Sequence, residues 1–466
     1  MRENKLFQTF RLVSTFFKKV SHKTIMFMVM SLFGSQSLYA DFGSIVDIGM
    51  AGDFYFSDGS ANNGQVFANL LIQNTWSDSQ LWVDVGAGGL VGDTAHSYIK
   101  APQLFYRMGK RSKFNIVVGR ELNDWSYLDS HWNMGMTQPL FKWDTAQPEE
   151  QGLTGIFVNI PVVEDTLDIT LFGSYMYLPT QGASYQLTDG ELRSSNPWFS
   201  SPIEAITLSG ERIDLNYSLT VPKAQDVVFK PSYGLQIGTP ISKMGFIASA
   251  FYLNKPRNEL VLPFEGALNL STFKGDINIL PQVANHQVAG LDIGAKYSIG
   301  KTVLSWVREF GIDYDVPLNT TYPVLSDQDI YSLATVFSVS KKQRVGLSYI
   351  KVDRQDTLVE GLFSSTQIDA YAARNRFEEA ARVYWEGLLA KVSSKYRVKT
   401  KLMYTQSLQK DNVWVSADVR WAASRGLEFF THCDFFGSSK DQIVGEDFIS
   451  TYQNNDRCLV GGHYAF

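Results

Sequence analysis

Lys395, Arg397, Lys399 and Lys401 stand two apart, with Tyr396, Val398 and, beyond, Leu402 and Tyr404 as alternates. In an extended chain that spacing puts the basic groups on one face and the apolar ones on the other. The segment before it alternates in the same way, with Glu378, Arg382, Tyr384 and Glu386 against Phe377, Val383, Trp385 and Leu389. The next segment adds Asp418 and Arg420, and the one after it Glu428, His432 and Asp434. Charges gathered on one face of successive strands allow two chemistries. One is a basic strip facing acids across water, whose field sorts solutes by charge. The other is a wall laced by salt bridges that only keeps an interior hydrated.

A second group lies between Asn123 and Glu150, where Trp125, Tyr127, Trp132, Phe141 and Trp143 are interleaved with Asp124, Asp129, Asp144, Glu149 and Glu150. So many aromatic rings in one connection predict a contact, because exposed apolar patches mark surfaces that meet something. Hydrolytic chemistry has little support. No GxSxG or HExxH motif occurs, and among His96, His131, His286, His432 and His463 only His432, beside Asp434, hints at an acid–base pair. A hydrogen bond in the interior explains that pair more simply, so no enzyme activity, cofactor or metal is expected. The two cysteines, Cys433 and Cys458, offer no zinc spacing. A symmetric hairpin would bring them opposite each other and permit a disulfide, whereas a register offset of two residues would exclude one.

The elements that position these groups read as strands. Val46, Ile48 and Met50 oppose Asp47 and Gly49, and Val413, Val415, Ala417, Val419 and Trp421 oppose Trp414, Ser416, Asp418 and Arg420. Such dyads predict strands with a different solvent on each face. Short polar connections fall at 77–79, 109–112, 164–165, 240–243, 300–301, 340–342, 392–394 and 424–426. Between them run long ones at roughly 122–150, 179–226, 255–286, 313–327, 354–375 and 438–455. Tight turns at one end and long loops at the other predict an all-β, antiparallel, up-and-down transmembrane barrel of about 18 strands, with 16 to 20 open. The uncertain stretch is 258–286, which is either one excursion or a further hairpin on 259–262 and 276–279.

Both chain ends fit export and membrane insertion. Residues 1–40 carry a basic region (Arg2, Lys5, Arg11, Lys18, Lys19, Lys23), an apolar core at 25–34 and a small residue at Ala40, as a secretory signal peptide does. Its loss removes those six basic residues and Glu3 from totals of 42 and 47, leaving a net charge near −10 in the barrel domain 41–466. That acidic balance gives no footing to nucleic acid.

The last ten residues alternate Cys458, Val460, Gly462, Tyr464 and Phe466 against Arg457, Leu459, Gly461, His463 and Ala465. A closing strand ending on Phe466, with Tyr464 two before it, resembles the assembly signal of Gram-negative outer-membrane β-barrels. With the dyads and the loop pattern, residues 41–466 resemble a porin-type barrel. That resemblance implies a water-filled channel for passive diffusion of small hydrophilic solutes or ions in the bacterial outer membrane. Its implied partners are membrane lipid, lipopolysaccharide and the barrel-assembly machinery, with a homotrimer as one oligomeric state. In trimeric porins the loop after the fifth strand folds into the lumen. By that resemblance Asp124, Asp129 and Asp144 are candidates to line a constriction opposite Lys395–Lys401. A surface adhesin or structural barrel that binds through its long loops is the alternative function.

Overall fold

The computed structural model describes residues 43–465 except 57–62, 76–77, 92, 110–113, 164–165, 209, 240–244, 270, 316–319, 355–356, 359–373, 392–396, 425 and 439–446. The predicted signal peptide, Lys395 and Phe466 lie outside the described residues.

The alternating segments form eighteen strands in one sheet. In chain order they are β1 (Gly43–Tyr55), β2 (Asn63–Thr75), β3 (Ser79–Leu90), β4 (Asp93–Met108), β5 (Asn115–Glu121), β6 (Leu153–Val163), β7 (Leu167–Ser174), β8 (Ser232–Gly238) and β9 (Phe246–Pro256). They continue as β10 (Asn285–Tyr297), β11 (Gly300–Asp313), β12 (Gln328–Ser340), β13 (Gln343–Arg354), β14 (Glu379–Lys391), β15 (Arg397–Ser407), β16 (Val413–Ala422), β17 (Leu427–Gly437) and β18 (Arg457–Ala465). Each pairs antiparallel with its sequence neighbour, and β18 returns to β1 with Asp47 opposite Ala465 and Tyr55 opposite Arg457. Closure leaves no free edge, the condition for a sheet to sit in hydrocarbon.

The two faces follow the dyads. Val383, Leu402, Tyr404, Val415, Val419 and Trp421 are exposed on the outer surface, while Arg382, Thr405 and Ser416, of opposite parity, are buried inside. Apolar side chains left bare all round a barrel make sense only against lipid. Inside, the strands approach closely where a glycine lies beneath a ring. A Cβ on Gly346 would stand 2.0 Å from the Tyr384 ring, so that ring lies flat on the wall.

Eighteen is the predicted central count, and the 258–286 stretch adds none. β9 and β10 pair directly from Phe246–Ala295 to Pro256–Asn285. A hairpin does form there, but outside the barrel and with a displaced first arm: Phe264–Asn269, not the expected 259–262, pairs with Lys274–Ile279. There 274–279 pairs in parallel with Glu211–Leu219 of another loop, in a small sheet built over Leu215, Tyr217, Phe264 and Ile277. Long connections share one end of the barrel with two short ones, 91–92 and 408–412, so the alternation of lengths is not strict.

Cys433 stands opposite Cys458 on the outer face of β17 and β18, and a disulfide joins them with Cα atoms 4.1 Å apart. Its rung borders the inward rung Asp434–Arg457. The outer face generates a test. Replacing Leu347, at mid-strand and 47% exposed, by Arg should cost about 2–4 kcal/mol in lipid, read by urea unfolding in bilayers. A neutral result would mean that this face does not meet hydrocarbon.

Candidate functional site

Residues 122–152 leave β5 and cross the lumen. Their centre is a short helix, α1 (Tyr127–Trp132), capped by the Ser126 side chain and ended by Asn133 in the left-handed region at φ 51°. Asp129 turns inward on its own segment. Its carboxylate accepts from Met136 N (3.0 Å), from Thr137 N (2.7 Å) and from the Thr137 hydroxyl, and it is 3% exposed. Asp129 therefore folds the loop and does not line a passage, contrary to expectation.

The loop is held by wall after wall. Tyr127 N donates to Asp292 of β10 (2.9 Å), and Trp132 Nε1 donates to Ser332 of β12 (3.0 Å). Arg382 of β14 donates to the His131 carbonyl (3.0 Å) and lies under the Trp132 ring. Gln236 of β8 donates to the Asp124 carbonyl (2.7 Å), and Lys100 of β4 pairs with Glu149. Rings complete the crossing. Trp125 meets Phe172 and Phe251 on β7 and β9, Trp132 meets Phe377, and Phe377 meets Phe448. Phe448 opens a second helix, α2 (Phe448–Thr451), and packs on Trp414 and Phe436 of β16 and β17. An apolar bar thus spans the barrel. Phe377, expected on the outer face, belongs to this bar at 3% exposure, because it precedes β14 and escapes the strand's parity.

Toward the turn end the loop presents an arc of cations and rings. Lys301 Nζ sits 4.5 Å from the Tyr127 ring centre, Tyr127 stacks on His131 at 5.4 Å, His131 meets Tyr384 at 6.5 Å, and Lys401 lies 5.8 Å from Tyr384. Burial first, then the charges of Arg382, Lys401 and Lys301, push His131 down to about 3, so its imidazole stays neutral.

The strands beyond carry a belt of alternating charge. Arg344 pairs with Glu386, Asp418 with Arg420 (3.0 Å), and Arg420 reaches Glu428 (3.8 Å). His463 bridges Glu428 (3.4 Å) and Asp47 (2.8 Å). Acids and bases share one wall, so the salt-bridge-laced reading describes this face better than a basic strip opposed by acids. Arg397, Lys399 and Lys401 lie on the inward parity and are exposed. Arg382 faces inward but is covered by α1, and Glu378 sits at the rim before β14, paired with Arg354. Both were expected to line the pore wall, and neither does. Of the three loop acids, only Asp124 is exposed. Asp144 is paired with Arg457 instead of facing the ladder.

His432 Nε2 lies 3.0 Å from Asp434 and 3.4 Å from the Ser416 hydroxyl, with Nδ1 3.6 Å from Asp418. Ser416, His432 and Asp434 are all buried and bonded to one another, so the group reads as a wall network. Sequence reasoning gave no role to Lys301 or Arg457. The usable signal was there: an inward basic residue on a strand must find an acid or water.

No protein-family model and no characterised protein sequence matches this chain. Solved structures similar in shape include OccAB4 of Acinetobacter baumannii, at 10% identity over 91% of this chain and 97% of that one, with a TM-score of 0.47. OccK2 (OpdF) of Pseudomonas aeruginosa in complex with glucuronate gives 8% identity over 91% and 98%, with a TM-score of 0.49. OmpT, an outer membrane protein of Vibrio cholerae, gives 8% over 91% and 97%, with a TM-score of 0.40. The chain's own closure, faces and strand count define its class: an 18-stranded antiparallel transmembrane β-barrel.

Glu150 supplies a pH test. Burial, then the charges of Asp129 and Asp124, push its carboxyl from 4.5 up to about 7. A raised acid favours the folded loop while protonated, and that advantage is lost as pH rises through about 7. Glu150→Gln should therefore raise the melting temperature at pH 8 and leave it nearly unchanged at pH 4, below the unfolded value of 4.5. Equal shifts at both values would contradict this.

Proposed function

We propose that the chain is a passive, non-enzymatic channel of the bacterial outer membrane for small hydrophilic solutes or ions. The observation that carries this reading is the closed barrel with a lipid-compatible exterior and a charged, exposed inner belt at its turn end. Loop 122–152 occupies the middle of the lumen, which leaves the sector along β15–β17 and β1–β3 as the polar route. The loops place Trp143, Trp198, Phe377 and Phe448 inside the barrel, while Val221, Phe229 and Phe273 stay exposed on their outer side; the inward set is what supports a channel over an adhesive barrel. The reading includes the barrel-assembly machinery as the partner that recognises the Tyr464–Phe466 end. It also includes a homotrimer, testable by native mass measurement.

Along β15, on the proposed route, Arg397, Lys399 and Lys401 all face inward, and of these only Lys401 stands in register with carboxylates, Glu386 and Asp418. Purified protein in a planar bilayer should give small, ohmic conductance steps with anion preference in a salt gradient. Changing Arg397 and Lys399 together to Glu should move the reversal potential toward cations. A folded barrel that never conducts would sink the channel reading.

A further inference from the structure

The loop-end mouth of the polar sector is roofed around one guanidinium. Arg457 begins β18, is 0% exposed, and lies 3.2 Å from Asp53 of β1 and 3.3 Å from Asp434 of β17. Those two carboxylates belong to the wall. Its third partner, Asp144, comes from the lumen loop, and the Trp198 ring of the 175–231 connection covers the guanidinium at 4.6 Å. The roof segments hold one another. Asn196 Nδ2 donates to the Trp143 carbonyl (3.0 Å), Asn455 Nδ2 to the Pro197 carbonyl (2.6 Å), and the Tyr452 hydroxyl to the Trp198 carbonyl (3.1 Å). Three loops therefore meet at Arg457; Lys100–Glu149, the Ser195 N bond to His96 (3.2 Å) and the Trp198–Phe436 contact tie the same loops to the wall elsewhere, but only the Asp144–Arg457 pair falls at their junction.

We propose that the Asp144–Arg457 pair is a latch that holds these loops over the polar sector, which is closed while the pair is made and open when it parts. The inference rests on the channel reading above. Its physical basis is an asymmetry among the three acids. Without Asp144, Arg457 keeps two wall carboxylates and is not stranded as a buried unpaired charge. The roof can lift while the wall stays intact. The outer disulfide fixes the neighbouring rung, so the wall side of the latch does not shift with it.

Asp144→Asn is the direct test, because an amide oxygen can still accept from Ala146 N (3.0 Å) and Gln147 N (3.1 Å) as the carboxylate does. Wild type, Asp144→Asn and Asp144→Glu would be refolded, checked for heat-modifiable migration and recorded in planar bilayers. The latch predicts severalfold higher open-state occupancy in Asp144→Asn and wild-type behaviour in Asp144→Glu. Wild type silent and Asp144→Asn conducting would support it equally. Equal or lower occupancy in Asp144→Asn overturns the latch and leaves the channel standing. Silence from all three folded proteins overturns the channel reading and the latch with it. Should Asp144→Asn fail to fold, Asn196→Ala, which frees the Trp143 carbonyl, must raise occupancy, and an unchanged record overturns the latch.

Discussion

Eighteen strands enclose more space than their own inward side chains can fill. Everything inside this barrel answers to that constraint. A wall of dyads solves the outer face by itself, with lipid against Val383, Leu402 and Trp421. It leaves an interior that must hold either water or chain drawn in from the loops. This molecule does both, on different sides of one loop.

The loop pays for its place with rings. Trp125, Leu128 and Trp132 are fully buried, and a buried side chain of that kind is worth about 1.5–3 kcal/mol. Backbone groups of the crossing chain could not be left bare in such surroundings, which is why Asp129, Asp292, Arg382 and Gln236 supply partners for them. The apolar bar and the polar belt are thus two halves of one arrangement. The bar fills the middle and the mouth with rings, and the belt lines the turn end with paired charges. Arg457 stands where the two meet.

The architecture was legible because each strand repeats one rule, and a period of two survives without knowledge of partners. A closed barrel of about 18 strands and the common outward parity of Cys433 and Cys458 follow from that rule plus turn positions, whereas their meeting rung to rung depended on the register. What lay hidden depends on loops, where no period applies. Asp129 and Asp144 look alike in sequence, yet one is consumed by Met136 and Thr137 and the other by a strand that begins 313 residues later. The parity rule also fails one residue outside a strand, as Glu378 and Phe377 show. The belt was half legible: its charges were placed inside, but acids and bases alternate across strands, and only the register reveals which neighbours meet.

The central claim is that the segment 123–150 is lumen filling and not a surface loop. Hydrogen exchange of the lipid-embedded protein tests it most directly. Amides of 127–141 should be protected on the timescale of the wall strands, while the exposed hairpin Gln186–Arg193 exchanges early. Exchange of 127–141 as fast as that hairpin would contradict the account.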